Sequence, residues 1–237
     1  MQARLDRFLS KHLALQRKAI KPLLASGRVR VDAVVVRDAD QMITQFSHIE
    51  LDDRILQQHA PCYIMLNKPQ GVVSATKDPR HKTVVDLLEH EYADDLHIAG
   101  RLDFNSTGLL LLTNDGRWSR NLSLPDNNIR KRYRVTVDKP LTQTYIDAFA
   151  EGMHFAYEGI TTRPVELIIL DDFSAEVILC EGRYHQIKRM FGRFDNTVLT
   201  LHRTAIGNLV LDNTLSLGES RTLSPEEVTS LTDPANQ

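Results

Sequence analysis

Leu5, Phe8, Leu9, His12 and Leu13 fall on one face at helical spacing, and Ile20, Leu23 and Leu24 repeat the pattern before Ser26-Gly27 closes it. Two short helices are predicted. The period then changes to two: Arg28-Val29-Arg30-Val31 alternates cation and valine, Asp32-Ala33 makes a turn, and Val34-Val35-Val36 continues as a second strand. This is a compact ααβ unit. The polar run through Asp52-Asp53-Arg54 and Gln57-Gln58-His59 reads as a linker, which places a domain boundary near residue 59, between a 1–59 unit and a 60–237 unit.

Beyond the boundary, Cys62 to Leu66 is strand-like and stops at Asn67-Lys68-Pro69-Gln70-Gly71, where Pro and Gly demand a turn. Thr83 to His90 has helical periodicity. Leu109 to Leu112 is a continuous apolar run between Gly108 and Asn114-Asp115-Gly116, the pattern of a strand buried on both faces. Tyr133, Val135 and Val137 alternate with polar residues, giving a strand with one buried face. Thr142 to Gly152 and Tyr184 to Phe194 read as helices, and Val165 to Leu170 with Ala175 to Cys180 as paired strands. Ser224-Pro225-Glu226-Glu227 carries a cap, a proline at the first helical position and a glutamate three residues after the cap, so a last helix opens there. The class is α+β with a mixed, mostly antiparallel sheet.

Composition narrows the field. A chain of 237 residues with 42% hydrophobic residues can bury a core. No apolar run is long enough to cross a bilayer, and Met1-Gln2-Ala3-Arg4 does not open a secretory signal, so the expected location is the cytoplasm. Cys62 and Cys180 have no metal-ligand spacing and read as small core residues. Net charge is −2, yet residues 1–30 hold eight lysines and arginines against the single acid Asp6. Arg4, Arg17, Lys18, Lys21, Arg28 and Arg30 belong to this basic island, which could attract phosphates or simply be a solvated face.

The chain lacks the glycine-rich phosphate loops, the nucleophile elbow and the His/Cys pairings of zinc sites, so neither a cofactor nor a metal is expected. The densest polar segment is Gly100-Arg101-Leu102-Asp103-Phe104-Asn105-Ser106-Thr107-Gly108, leading straight into the buried run at Leu109. In an extended stretch Arg101 and Asp103 share a face, and the cation favours the ionised acid that a nucleophile or base requires. An Asp that bonds its own turn is the competing reading. In Glu181 to Phe191, helical spacing turns Ile187, Met190 and Phe191 inward and leaves His185, Lys188 and Arg189 as a cationic face. Lys131-Arg132-Tyr133-Arg134 places an aromatic among cations, either a core tyrosine or one that stacks on a base.

Together these segments resemble the RsuA-like family of bacterial rRNA pseudouridine synthases over nearly the whole chain. The amino-terminal unit, with Arg4-Leu5-Asp6 and Gly27 to Asp32, is similar to the small RNA-binding domain first known from ribosomal protein S4. Gln16 and Ala33 depart from its usual Ser and Gly. Leu66 to Gly71 is similar to the family's first motif, and Gly100-Arg101-Leu102-Asp103 with Thr107 to Leu110 to its catalytic motif. Gly182 to Met190 is similar to its third motif.

The resemblance implies an uridine-to-pseudouridine isomerisation without a cofactor. Asp103 would be the catalytic carboxylate, Tyr133 the active-site tyrosine and Arg183 the ion-pair partner of Asp103. Arg101, Asn67, Lys68, His185, Gln186, Lys188 and Arg189 would bind substrate. The His185 to Phe191 version is most similar to the member acting on 16S rRNA, so the implied partner is 16S rRNA or a partly assembled small subunit, met by a monomer. The same reaction on 23S rRNA, a silent RNA-binding assembly factor and a base-excising glycosidase are the competing readings.

Overall fold

The computed structural model describes residues 2–89 and 93–231. The chain divides into two compact units, Met1–Pro61 and Cys62–Gln237.

The first unit runs β1 (Ala3–Arg4), α1 (Leu5–His12), α2 (Arg17–Ala25), β2 (Val29–Val31), β3 (Val34–Val35), β4 (Met42–Ile43), β5 (Ile49–Leu51) and β6 (Arg54–Gln57). Strands β3-β2-β5-β6 form one antiparallel sheet, and β1 pairs with β4. Leu5, Leu9, Ile20 and Leu24 from the helices close over Val29, Val31 and Ile49, so the apolar faces read from the sequence are the faces that bury. The β2–β3 turn holds Asp32 and Ala33 at φ 51° and 66°, the left-handed pair of a two-residue hairpin. An alanine there costs about 1 kcal/mol relative to glycine. The Asp32 carboxylate offsets part of that by accepting from the His48 amide at 2.7 Å.

The second unit contains β7 (Tyr63–Lys68), β8 (His97–Ala99), β9 (Thr107–Thr113), α3 (Gly116–Ser123), β10 (Lys131–Val137), α4 (Gln143–Glu151), β11 (His154–Phe155) and β12 (Ile160–Thr161). It continues with β13 (Glu166–Asp171), β14 (Ser174–Leu179), α5 (Gln186–Gly192), β15 (Val198–Ile206), β16 (Leu209–Val210), β17 (Ser220–Thr222) and α6 (Pro225–Ser230). The main sheet has the order β13-β14-β10-β15-β9-β7-β17, with β16 beside β15 and β8 beside β9. Every pairing in it is antiparallel except β9 with β15.

Strand β9 is the spine of this sheet, and Leu109 to Leu112 are fully buried. Leu110 and Leu112 pack with Val135, Phe149 and Phe191 on one face, while Leu109 and Leu111 pack with Trp118 and Leu122 on the other. Period-two alternation on a sheet covered on both sides makes the run continuous in sequence. Where β9 meets β15, Gly108 lies opposite Arg203, at φ 102°. A Cβ there would sit 2.3 Å from the Arg203 carbonyl oxygen, so only glycine lets the two backbones approach.

Three expectations are corrected. The polar run read as a linker carries strand β6, Arg54–Gln57. Thr83 to His90 is not a helix: the described part is a bridge at Thr83 and a short 3₁₀ turn, Val85–Leu87, with His90 outside the described residues. Thr83 and Asp86 exchange side-chain-to-amide bonds at 2.7 and 3.3 Å, an alternative to the helical ladder that their residue types favour. The helix expected over Tyr184 to Phe194 begins only at Gln186, because His185 takes a left-handed conformation at φ 49°. Helix α3 and strand β15 were not anticipated. Among the described residues no helix is long and apolar enough to cross a membrane.

Candidate active site

The segment Gly100 to Ser106 links β8 to β9 across the end of the sheet, and it is held by its own backbone carbonyls. Lys68, at the last position of β7 and fully buried, donates from Nζ to the carbonyls of Asp103 (3.0 Å), Ser106 (2.9 Å), Phe104 (3.4 Å) and Pro69 (3.0 Å). Arg203 comes from β15 and is 2% exposed. Its guanidinium donates to the carbonyls of Leu109 (2.7 Å), Gly100 (2.9 Å) and Arg101 (3.4 Å). Ser74 Oγ brackets the middle, donating to Leu102 O at 2.6 Å and accepting from Leu102 N–H at 3.1 Å. A loop so pinned presents its side chains in one orientation.

Asp103 is the side chain thus presented. One carboxylate oxygen lies 2.9 Å from Lys188 Nζ and the other 3.5 Å from His185 Nε2. It faces a cavity of about 480 Å³ lined also by Arg101, Tyr133, Arg183, His185 and Lys188. The volume suits a small ring-sized group. Tyr133 is on the buried face of β10, with its ring at the cavity and its hydroxyl accepting from Arg203 Nη1 at 3.3 Å. The Tyr184 ring stacks on His185 at 3.9 Å between centroids, and Tyr184 remains 76% exposed at the cavity edge. A half-open pocket with a carboxylate, an aromatic wall and a cationic rim can take a planar base attached to a phosphate chain.

Desolvation pushes the Lys68 ammonium down to about 8; Asp103 opposes that shift, and Arg203 and Lys188 add to it. Helix α5 is fixed from below by Ile187, Met190 and Phe191, all buried, which leaves Lys188 to reach Asp103.

The structure brings Asp103, Tyr133, Arg101, Arg183, His185, Gln186 and Lys188 to one cavity. It does not bring Arg183 to Asp103 as an ion-pair partner. The buried Glu181, two residues earlier, takes the Arg183 Nε at 2.9 Å, and Lys188 occupies the carboxylate instead. Gln186 is buried and donates to Glu181 Oε1 at 2.7 Å. Neither Asn67 nor Lys68 lines the cavity. Asn67 is buried and donates to Leu215 O at 2.8 Å, and Lys68 holds the loop from beneath.

Arg189 is likewise outside the cavity, because Glu158 binds its guanidinium at 2.5 and 2.7 Å and the Phe155 ring lies under it at 3.8 Å. In the first unit Arg4, Arg28 and Arg30 pair with Asp6 and Asp40, with Asp52, and with Glu50 and Asp53, whereas Arg17, Lys18 and Lys21 of α2 are exposed without an ion pair among the described residues. Sequence reasoning missed Arg203, Ser74 and Glu181. The one available signal was Arg203 between Leu201 and Ala205, a cation in phase with the inward face of its strand.

The model of the RNA pseudouridylate synthase family matches residues 62–192, more than half of the chain. The chain belongs to the RNA pseudouridylate synthase family. It is therefore a pseudouridine synthase, an isomerase. The chain is 51% identical to the ribosomal small subunit pseudouridine synthase A of Pseudomonas aeruginosa over 96% of this chain and 100% of that protein. Against the protein of the same name from Escherichia coli the identity is 40%, over 96% and 99%. A solved pseudouridylate synthase superposes with a TM-score of 0.71 at 38% identity, covering 96% of this chain and 99% of that one. Asp103, Tyr133, Arg183 and Lys188 fall within the segment matched to the pseudouridylate synthases, and Arg203 lies beyond it.

Proposed function

We propose that this pseudouridine synthase isomerises one uridine of 16S rRNA in the small ribosomal subunit, in the cytoplasm, with Asp103 as its catalytic carboxylate. The observation that carries the assignment is the Asp103 carboxylate, fixed by Lys188 at 2.9 Å at the wall of a cavity that also holds Tyr133. The substrate follows from the relatives, which are named for the small subunit.

The reaction breaks the bond from uracil N1 to ribose C1′, turns the base and joins C5 to C1′, after which C5 gives up its proton and N1 takes one up. Nothing is oxidised or reduced. A single carboxylate suffices to start it, by adding to the nucleotide or by removing a ribose proton. Tyr133 stacks on the uracil and assists loss of the C5 proton. The base must leave its stack first, since a stacked base hides the reacting atoms. Arg101 steadies the space it vacates. Arg183, with Nε held by Glu181, offers its two terminal amino groups to a phosphate, and His185 orients the carboxylate with Lys188. The first unit acts as an S4-type RNA-binding domain, with Arg17, Lys18 and Lys21 of α2 on phosphates.

The test is a map of pseudouridines in ribosomal RNA from cells with and without the gene. One 16S position should lose its modification. Loss confined to 23S rRNA, or no loss, contradicts the proposal.

A further inference from the structure

A second cavity, of about 700 Å³, adjoins the catalytic one and shares Arg101, Tyr133, Gly182 and Arg183 with it. Five cations line it: Arg101, Lys131, Arg163, Arg183 and Arg203. The acids are two, and both are engaged, Asp126 with Arg163 and Glu181 with Arg183. Arg203 spends four donors on backbone carbonyls and the Tyr133 hydroxyl. That leaves Arg101 and Lys131, neither of which has a carboxylate partner among the described residues.

Lys131 is the decisive group. It is 9% exposed, at the start of β10, and among the described residues its Nζ donates only to the Cys180 carbonyl, at 3.3 Å. An ammonium has three donors, and a buried one without a counter-charge is costly. Burial, with Arg203 pushing the same way and Cys180 opposing, brings Lys131 down to about 8. Among the described residues no carboxylate meets this charge, which leaves it available to an anion from outside.

Position on the strand indicates which anion. Lys131 and Tyr133 lie two residues apart on the same buried face of β10, so they are separated by about 7 Å along the strand. The ammonium is within one nucleotide's reach of a base stacked on Tyr133. Arg101 and Arg183 line both cavities and flank the route between them.

We propose that the second cavity is a phosphodiester subsite, in which Lys131 receives the backbone phosphate of a nucleotide adjacent to the flipped uridine. The assignment rests on the Asp103 cavity being the uridine site. Lys131 thereby fixes the register of the strand, and its contact contributes to binding in the ground state and the transition state alike.

The experiment uses the full chain and a target-stem RNA carrying one uncharged methylphosphonate at each phosphate flanking the uridine. Kd, KM and kcat are measured for the wild type, Lys131→Met and Lys131→Arg. Lys131→Met should raise Kd and KM about tenfold, the size of one charge-assisted bond, while kcat stays within about threefold. Lys131→Arg should recover most of that loss. One methylphosphonate position should weaken wild-type binding by a similar factor and add nothing in Lys131→Met. If no flanking methylphosphonate raises the wild-type Kd, or if every position is additive with Lys131→Met, the subsite is wrong whatever the folding of the variant. If unmodified RNA binds the wild type and is not turned over, it is the uridine-site assignment that fails, and the Kd scan still decides the subsite.

Discussion

Beneath Asp103 two cations, Lys68 and Arg203, are buried without a carboxylate partner among the described residues, and both direct their donors to loop carbonyls. They position the Asp103 side chain through its backbone, while Lys188 and His185 hold the carboxylate itself. The burial of Lys68 has a consequence for stability. In the unfolded chain Lys68 keeps its proton up to about 10.5, and in the folded chain it gives it up from about 8. Between those values the unfolded state binds more protons, so stability rises with pH across that window. Urea unfolding of the wild type and Lys68→Met from pH 7 to 10.5 should show the wild type gaining on the variant above about pH 8. A constant difference contradicts the burial argument. The local patterns around Asp103 and Tyr133 left a turn-bonding Asp and a core tyrosine open, and the family resemblance singled the two out; the structure places both at one cavity. The positioning roles of Lys68 and Arg203 were not legible in the sequence: an inward cation on a strand has the same period as an apolar residue, and a lysine in a motif gives no sign that it points away from the substrate.

At the scale of elements, the site sits at the end of β9, where it runs parallel to β15. That contact depends on Gly108, since a Cβ at that position meets the Arg203 backbone at 2.3 Å. Gly108→Ala should destabilise the second unit by about 2 kcal/mol or more, through both the clash and the left-handed backbone. It should also lower kcat, because Arg203 moves with its strand. Denaturant unfolding and a turnover assay check this, and wild-type values for both would contradict the account. The strands β9 and β10 and the capped helix α6 could be read directly, since their periods and caps are local. Helix α3 could not, because its apolar signal reduces to Trp118 and Leu122 after the Asp115 cap. The Thr83 segment misled because three apolar residues at helical spacing were outweighed by the Thr83–Asp86 side-chain bonds.

Over the whole molecule, a net charge of −2 conceals a division of labour. In the first unit Arg4, Arg28 and Arg30 are paired with local acids, and Arg17, Lys18 and Lys21 of α2 are exposed without an ion pair among the described residues. In the second, cations concentrate around the two adjoining cavities. The pairing of the first unit's arginines was hidden from a reading of residues 1–30, because the acids that engage them come mostly from residues 40–53. Under the proposed function, binding and chemistry rest on different groups and are separable by experiment. The most direct test removes the charge of Asp103 alone: Asp103→Asn, assayed for tritium release from 5-tritiated uridine in small-subunit rRNA and, in parallel, for binding of the same RNA. The account predicts binding within about threefold of wild type and turnover lowered by at least about 10⁴-fold, as for loss of an essential nucleophile or base. Tritium release at the wild-type rate would contradict it.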